Sequence, residues 1–310
     1  MTTTAAPVPP AGPPAEPTGT PAAPTATRRP SWQRSLGRLL RRPVAVVSLV
    51  VLTVVVVLAV AGPWLAPYGV NDVDVTRALQ PPGAEHWFGT DELGRDVLSR
   101  VVLSARVSML VSLVSVSIAL VAGVGLGLVA GYFGGWLDTV IMRTADVMFA
   151  FPVMLLAMAI VAILGPGLTT AMIAIGVVYV PIFARVTRAS VLSVRTEPYV
   201  RAAVSLGARS GRIIRRHVLP NVTAPIIVQT SLSLAFAILS EAALSFLGLG
   251  VQPPDPSWGR MLYDARAFLD QAWWMSVFPG LAVFVTVLSF NLLGDALRDV
   301  LDVRGGDGGR

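Results

Sequence analysis

Few side chains in this 310-residue chain are of a type that does chemistry, and their spacing narrows what that chemistry is. The two histidines, His86 and His217, lie far apart in the sequence, and there is no cysteine, so neither a histidine cage nor a thiolate metal site is expected. All 24 basic residues are arginine. A P-loop needs a lysine to reach the nucleotide phosphates, so the chain is expected to cleave no ATP by that motif. The run 125–130, Gly-Leu-Gly-Leu-Val-Ala, matches a dinucleotide pattern, but no strand precedes it and it lies inside an apolar stretch. Gly123, Gly127 and Gly131 at four-residue spacing read instead as a small-residue stripe that lets helix backbones approach closely. Glu241 sits alone in another apolar stretch. An ionisable group there suggests proton coupling. The plainer reading is a hydrogen-bonded structural glutamate that faces protein.

The elements that must hold these residues are apolar helices. Hydrophobic residues make up 54% of the chain and charged ones only 14%, with a mean hydropathy of +0.69. Soluble domains carry about 25% charged residues, so the composition points to a membrane protein. Residues 1–33 are dominated by Pro, Ala and Thr and predict a disordered cytoplasmic tail. Six apolar runs follow, at 44–65, 107–130, 139–164, 168–184, 223–247 and 273–293. The fold class expected is all-α integral membrane with six transmembrane helices. The third run is the least clean, because Arg143 and Asp146 lie near its start, at i and i+3, where they can pair. The division expected is 34–104 for the first helix and external segment, 105–297 for a five-helix core, and 298–310 for a tail.

Placing the N-terminus in the cytoplasm puts seventeen arginines inside and six outside, with Arg143 left out as intramembrane. The positive-inside rule therefore predicts both termini cytoplasmic. The same asymmetry accounts for the net charge of +6 and removes the case for a nucleic-acid partner. The basic connection 185–221 is the informative one. Thr196 is expected to cap a helix that starts at Pro198 and presents Val200, Ala203, Val204 and Gly207 on one face. Gly207 suits a stop, and Ser210 is expected to cap a second short helix that carries Ile213 and Ile214 and ends near Pro220. Such a surface suits lipid headgroups or a cytoplasmic partner, and physical chemistry alone leaves both open.

Four sequence blocks carry a resemblance. The run 199–221 holds Arg201-Ala202-Ala203, Leu206-Gly207-Ala208, Ile213-Ile214 and His217-Val218-Leu219-Pro220. It resembles the EAA loop of ABC importer permeases, with Arg201 in place of the glutamate and His217 in a hydrophobic slot. The block 86–100, with Gly89-Thr90-Asp91, Gly94-Arg95-Asp96 and Arg100, resembles that of the second, C-type permease of dipeptide and oligopeptide importers. Residues 244–259 look like that group's external loop, and 291–299 resemble its C-terminal signature.

The resemblance implies a type I ABC importer transmembrane domain in a bacterial plasma membrane. It implies a second homologous permease, cytoplasmic ATPase subunits or domains that bind ATP and magnesium, and an extracytoplasmic solute-binding protein. Residues around Leu206, Gly207 and Ala208 would form the coupling helix in the ATPase groove. The solute would be a di- or oligopeptide, with glutathione or a nickel chelate as alternatives in the same group. The block at 89–96 would shape the outer mouth or touch the binding protein, and Trp273 and Trp274 read as an interfacial belt. An ion-driven carrier is the rival class. A membrane enzyme is another, but it would need an acid, base or metal set at one membrane face.

Overall fold

The computed structural model describes residue 37 and residues 39–306, so the tail at 1–33 lies outside the described residues. The described chain is almost entirely helical. α1 is Pro43–Leu65, and a 3₁₀ turn at Val75–Arg77 lies in the connection to α2, Val97–Phe133. α3 is Gly135–Phe149, α4 is Val153–Leu164 and α5 is Leu168–Arg195. The short α6 (Pro198–Ser205) and α7 (Ser210–Ile213) lead through a π turn, Ile214–Val218, into α8, Leu219–Phe246. α9 is Trp258–Ala265 and α10 is Trp274–Gly306. Five helical runs are long and apolar enough to cross a membrane: α1, α2, α5, α7 through α8, and α10. The α3–α4 pair makes a sixth span when its two helices are counted together.

That third span is not the straight helix expected at 139–164. Its two halves meet at 91° across a break at 150–152. Pro152 has no N–H to continue the α3 ladder, and it opens α4 as the residue before the first turn. The Arg143–Asp146 pair is also replaced. Asp146 bonds Arg185 of α5 at 2.6 Å, and Asp138 accepts two bonds from Arg188. Two carboxylates on α3 therefore clip it to α5, and the Arg185 guanidinium also lies over the Phe149 ring at 4.2 Å.

α2 and α5 form the most extensive helix pair, and glycine makes their contact this close. A Cβ added at Gly123 would lie 2.5 Å from Phe183 Cβ and 2.6 Å from the Val180 carbonyl. At Gly127 it would lie 2.5 Å from the Ala184 carbonyl, and at Gly131 2.8 Å from Val191 Cβ. The three glycines thus form one surface against successive turns of α5. Val111, Val116, Ala119, Ile175, Val178 and Phe183 continue the buried core between the same helices. A second buried cluster, with Leu52, Met109, Ile238 and Phe290, joins α1, α2, α8 and α10. Arg42 also pairs with Asp299, which ties the start of α1 to α10.

Several helices run past the apolar stretches. α2 starts at Val97, so the boundary placed at 104/105 cuts through one helix of 37 residues. At 1.5 Å per residue it is about 55 Å long, more than a hydrocarbon core of about 30 Å requires. α5 runs on to Arg195, so three arginines assigned to the connection lie on its last turns. α10 runs to Gly306, so most of the segment expected as a tail at 298–310 is helix.

The glycine stripe has an internal control. Gly125 has nothing within 4 Å of an added Cβ. Gly127→Leu is expected to destabilise the purified protein by about 1–3 kcal/mol through overpacking, read as a lowered melting temperature in detergent. Gly125→Leu is expected to leave it unchanged. Equal melting temperatures for the two variants would contradict the packing.

Candidate functional site

The two ends of the bundle carry the polar side chains that the apolar spans lack. At one end, the loop between α5 and α8 folds back on the helices. Val200, Ile213 and Val218 are fully buried with Val191, Val222 and Ile226, and partly buried Leu128 and Tyr132 of α2 pack on this cluster. About 25 cal/mol per Å² of buried apolar surface holds the loop to the α2–α5 end. Ala203 joins the cluster from its edge, whereas Val204 is exposed, so the single apolar face expected on α6 splits into an inner and an outer part.

The caps differ from the expected ones. Thr196 closes α5, and Glu197 stands at the N-cap of α6 with Pro198 in its first turn. Arg209, not Ser210, precedes α7. Gly207 does end α6: at φ +74° its N–H bonds the Val204 carbonyl, and the Ala208 N–H bonds that of Ala203. Positive φ disfavours any residue with a side chain there. The helix carrying Ile213 and Ile214 does not stop near Pro220. Pro220 supplies no N–H to the Arg216 carbonyl, and the backbone passes this gap by a π turn in which the Leu219 N–H reaches Ile214. Residues 210–246 are therefore one continuous run. Asn221 donates to the His217 carbonyl, and the His217 ring lies near the Tyr199 ring.

The result is a bent loop with its tip facing away from the bundle. Leu206 is 87% exposed at the turn, beside exposed Ala202, Val204 and Gly207. Arg201, Arg209, Arg212, Arg215 and Arg216 of the same loop are also exposed, and none forms an ion pair among the described residues. A cleft of about 570 Å³, lined by Tyr132, Arg195, Arg201 and Val204 among others, opens alongside α6. Arg195 is fixed there by donating to the Gly131 and Tyr132 carbonyls at the C-terminal end of α2.

The opposite end is a cap in which most polar groups bond one another, while His86 Nε2 and Glu92 Oε2 are buried without a hydrogen-bond partner. Asp96 is the N-cap of α2 and accepts from both the N–H and the hydroxyl of Ser99. His86 Nδ1 lies 2.9 Å from the second Asp96 oxygen, and the Tyr68 N–H donates to the Ser99 hydroxyl. Asp91 accepts from the Leu93 and Arg95 N–H groups and from Arg95 Nε, with Arg100 Nε at 3.6 Å. Gly94 takes φ +74°, and any Cβ there would strike the Asp74 carbonyl. Gly89 also takes positive φ and packs under Trp274. Thr90 donates to the Arg77 carbonyl, accepts from the Gln80 N–H, and offers its own carbonyl to Trp274 Nε1. Trp274 is therefore a buried strut of the cap and not part of an interfacial belt, whereas Trp273 is exposed.

Glu241 is fully buried where α8 meets α2. It accepts from the Ser245 hydroxyl at 2.8 Å and the Ser108 hydroxyl at 3.2 Å. Its neighbours are hydroxyls, and this geometry supports the structural reading over proton coupling. Sequence reasoning missed its partners, although buried Ser104, Ser108 and Ser112 recur every four residues along α2. Among the described residues no group of three or more His, Cys, Asp or Glu side chains could hold a metal ion. His86 and His217 lie at opposite ends of α2.

A helical membrane bundle with an exposed basic loop at one end and a hydrogen-bonded cap at the other has the layout of a transport subunit, and the comparisons with known proteins say of which kind. The model of the inner membrane component of binding-protein-dependent transport systems matches residues 123–304. The model of the N-terminal transmembrane domain of oligopeptide transport permease C matches residues 31–82. The chain belongs to the family of binding-protein-dependent transport permeases. It is 48% identical to the dipeptide transport system permease protein DppC of Alkalihalophilus pseudofirmus, over 87% of this chain and 89% of that one. It is 42% identical to the glutathione transport system permease protein GsiD of Pectobacterium atrosepticum, over 88% and 91%. It is 48% identical to the di/tripeptide transport system permease protein DppC of Pseudomonas aeruginosa, over 82% and 86%. A chain of the MetNI methionine ABC transporter superposes with a TM-score of 0.54 at 20% identity, over 66% of this chain and 97% of that one. The fold is the transmembrane domain of a type I ABC importer.

The cap makes a prediction about pH. Burial, reinforced by the neighbouring Asp91 charge, pushes the Glu92 carboxyl above the usual glutamate range. The folded protein then holds this proton more tightly than the unfolded chain does. The contribution to stability is present at low pH and is lost as pH rises through the raised value. Glu92→Gln is expected to flatten the melting temperature over that window and to cost nothing at neutral pH. Asp96→Ala is expected to cost at least about 1 kcal/mol through loss of the cap. A Glu92→Gln protein less stable than wild type at pH 7 would contradict this reading.

Proposed function

We propose that this chain is half of the membrane pathway of an ATP-driven importer for di- and oligopeptides. It would work beside a second, homologous permease, with cytoplasmic ATPase subunits or domains as the engine and an extracytoplasmic binding protein delivering solute. ATP and magnesium would be bound by those ATPases and not by this chain. The observation that carries the reading is the 198–221 loop, whose apolar inner side is packed on the bundle while Leu206 and the arginines of the loop stay uncovered. An apolar tip on a loop that also carries unpaired arginines fits a protein groove with carboxylates at its rim. The loop end would be cytoplasmic and the cap end extracytoplasmic, in a bacterial plasma membrane, as the arginine distribution favours.

In this mechanism ATP binding draws the ATPase pair together and moves the two coupling loops with it. Because the loop is seated on α2 and α5, the displacement passes to those helices, and the permease halves rock between inward- and outward-facing states. Arg201, Ala202, Ala203, Leu206, Gly207, Ala208, Ile213, Ile214, His217, Leu219 and Pro220 form the coupling segment. Gly89, Thr90, Asp91, Gly94, Arg95 and Asp96 hold the outer cap in shape. The peptide reading draws on the dipeptide and di/tripeptide relatives. The glutathione relatives carry a second reading, since glutathione is itself a tripeptide.

Reconstitution of the whole complex in liposomes tests the proposal. Dipeptides or oligopeptides presented with the binding protein are expected to stimulate ATP hydrolysis. Stimulation by glutathione alone would select the second reading, and stimulation by a nickel chelate alone, or by an ion gradient without ATPase, would overturn both. Leu206→Glu is expected to weaken retention of the ATPase by at least about tenfold, or ~1.4 kcal/mol. Unchanged retention, in that variant and after deletion of 205–211, would remove the coupling assignment.

A further inference from the structure

The lateral surface between α1 and α2 carries a feature that the transport reading leaves unused. A groove of about 620 Å³ runs between these helices, lined by Val56, Val60, Trp64, Leu110 and Leu113, with one charged residue, Arg106. That is the volume range of small-ligand sites. Arg106 is exposed and makes no hydrogen bond or ion pair among the described residues. The one other arginine of α2, Arg100, lies beside the Asp91 carboxylate, as Arg95 does just before the helix.

The depth of Arg106 can be read from the helix crossing. A Cβ added at Gly62 of α1 would touch Val102 of α2 at 3.5 Å, so those two positions are level. Arg106 lies one turn further into the bundle, about 6 Å below that level. Trp64 lies on the other side of the crossing, 81% exposed, where an interfacial indole belongs. A guanidinium at this depth and facing hydrocarbon is costly unless its stem snorkels to an anion. The phosphate of a glycerophospholipid stands within reach of that stem, and its acyl chain has the chemistry of the groove.

We propose that this groove is a phospholipid site, in which Arg106 pairs with the headgroup phosphate and one acyl chain lies along Val56, Val60, Leu110 and Leu113. The charge decides for lipid over a helix of the second permease. An aliphatic helix laid here would bury Arg106 without a partner, whereas a phosphodiester is anionic and sits at the headgroup level that the snorkelling stem reaches. The site would hold α1 against α2 near the cap, where Gly62 makes their contact close.

The test uses the complete detergent-purified complex, incubated with phosphatidylglycerol bearing a photoreactive acyl chain, with adducts mapped by mass spectrometry. Adducts are expected on the segments that contain Val60 and Leu110. Labelling is expected to fall at least about fivefold in Arg106→Gln and also in Leu110→Trp, which fills the groove and keeps the charge. Arg106→Lys is expected to retain it. A preserved melting temperature and basal ATPase rate in each variant would exclude misfolding. Equal labelling of wild type and both disruptive variants would overturn the site. So would a photoreactive residue at position 60 that captured the second permease in place of lipid.

Discussion

The close approach of α2 and α5 sets the rest of the structure. It exists because three glycines, four residues apart, remove the side chains that would separate the two backbones. Within a membrane there is no hydrophobic drive to bring two apolar helices together, so association depends on packing area and close contact. Gly123, Gly127 and Gly131 supply that contact against Phe183, Ala184 and Val191. With this pair fixed, α3 can be clipped to α5 by Asp138 and Asp146, and the end of α2 can be capped by Arg195. Both interactions join residues about 40 to 65 apart in sequence, and the Arg195 cap could not form if α2 and α5 were splayed.

The two ends of the bundle differ in how their polar groups are satisfied, and this difference separates their roles. In the cap, carboxylates, hydroxyls and His86 bond one another and the turns between them. Most of the cap's polar groups are held in this way, with His86 Nε2 and Glu92 Oε2 left buried and unpartnered. In the loop at the other end, the apolar side is satisfied by the bundle and the arginines are left unpaired. A surface held in place but chemically unsatisfied is what a docking element needs. Glu241 belongs with the cap in this respect, since serines from two helices satisfy it within the bundle.

Composition and residue periodicity made the helical membrane architecture legible, and the motif blocks made the family legible. The glycine spacing identified the packing stripe without any structure, because small residues at four-residue intervals have few other uses inside an apolar run. The bend in the third span was missed although Pro152 stands at the break and cannot continue the helix ladder. Apolar length alone does not reveal that Asp138 and Asp146 find arginines on α5. The loop caps were misplaced by one residue each, because Thr196 and Ser210 are good caps by type while the backbone turns at Glu197 and Arg209. The end of the second loop helix was misjudged for a related reason. Pro220 breaks an α ladder by rule, but a π turn carries the chain past it. Trp274 shows the limit of aromatic-belt reasoning: two adjacent tryptophans have opposite environments, set by a carbonyl 184 residues away.

The central claim is mechanical: the basic loop is seated on the α2–α5 pair and moves with it as one body. The chain has no cysteine, so two can be introduced without background, at exposed Phe133 at the end of α2 and at exposed Ser210 in the loop, outside the coupling residues. Spin labels at these positions give their separation by pulsed electron resonance in the assembled complex, with and without ATP. The account predicts one narrow distance distribution that nucleotide leaves in place. A shift or splitting of that distribution on ATP binding would mean that the loop moves independently of the helices, and would contradict the account.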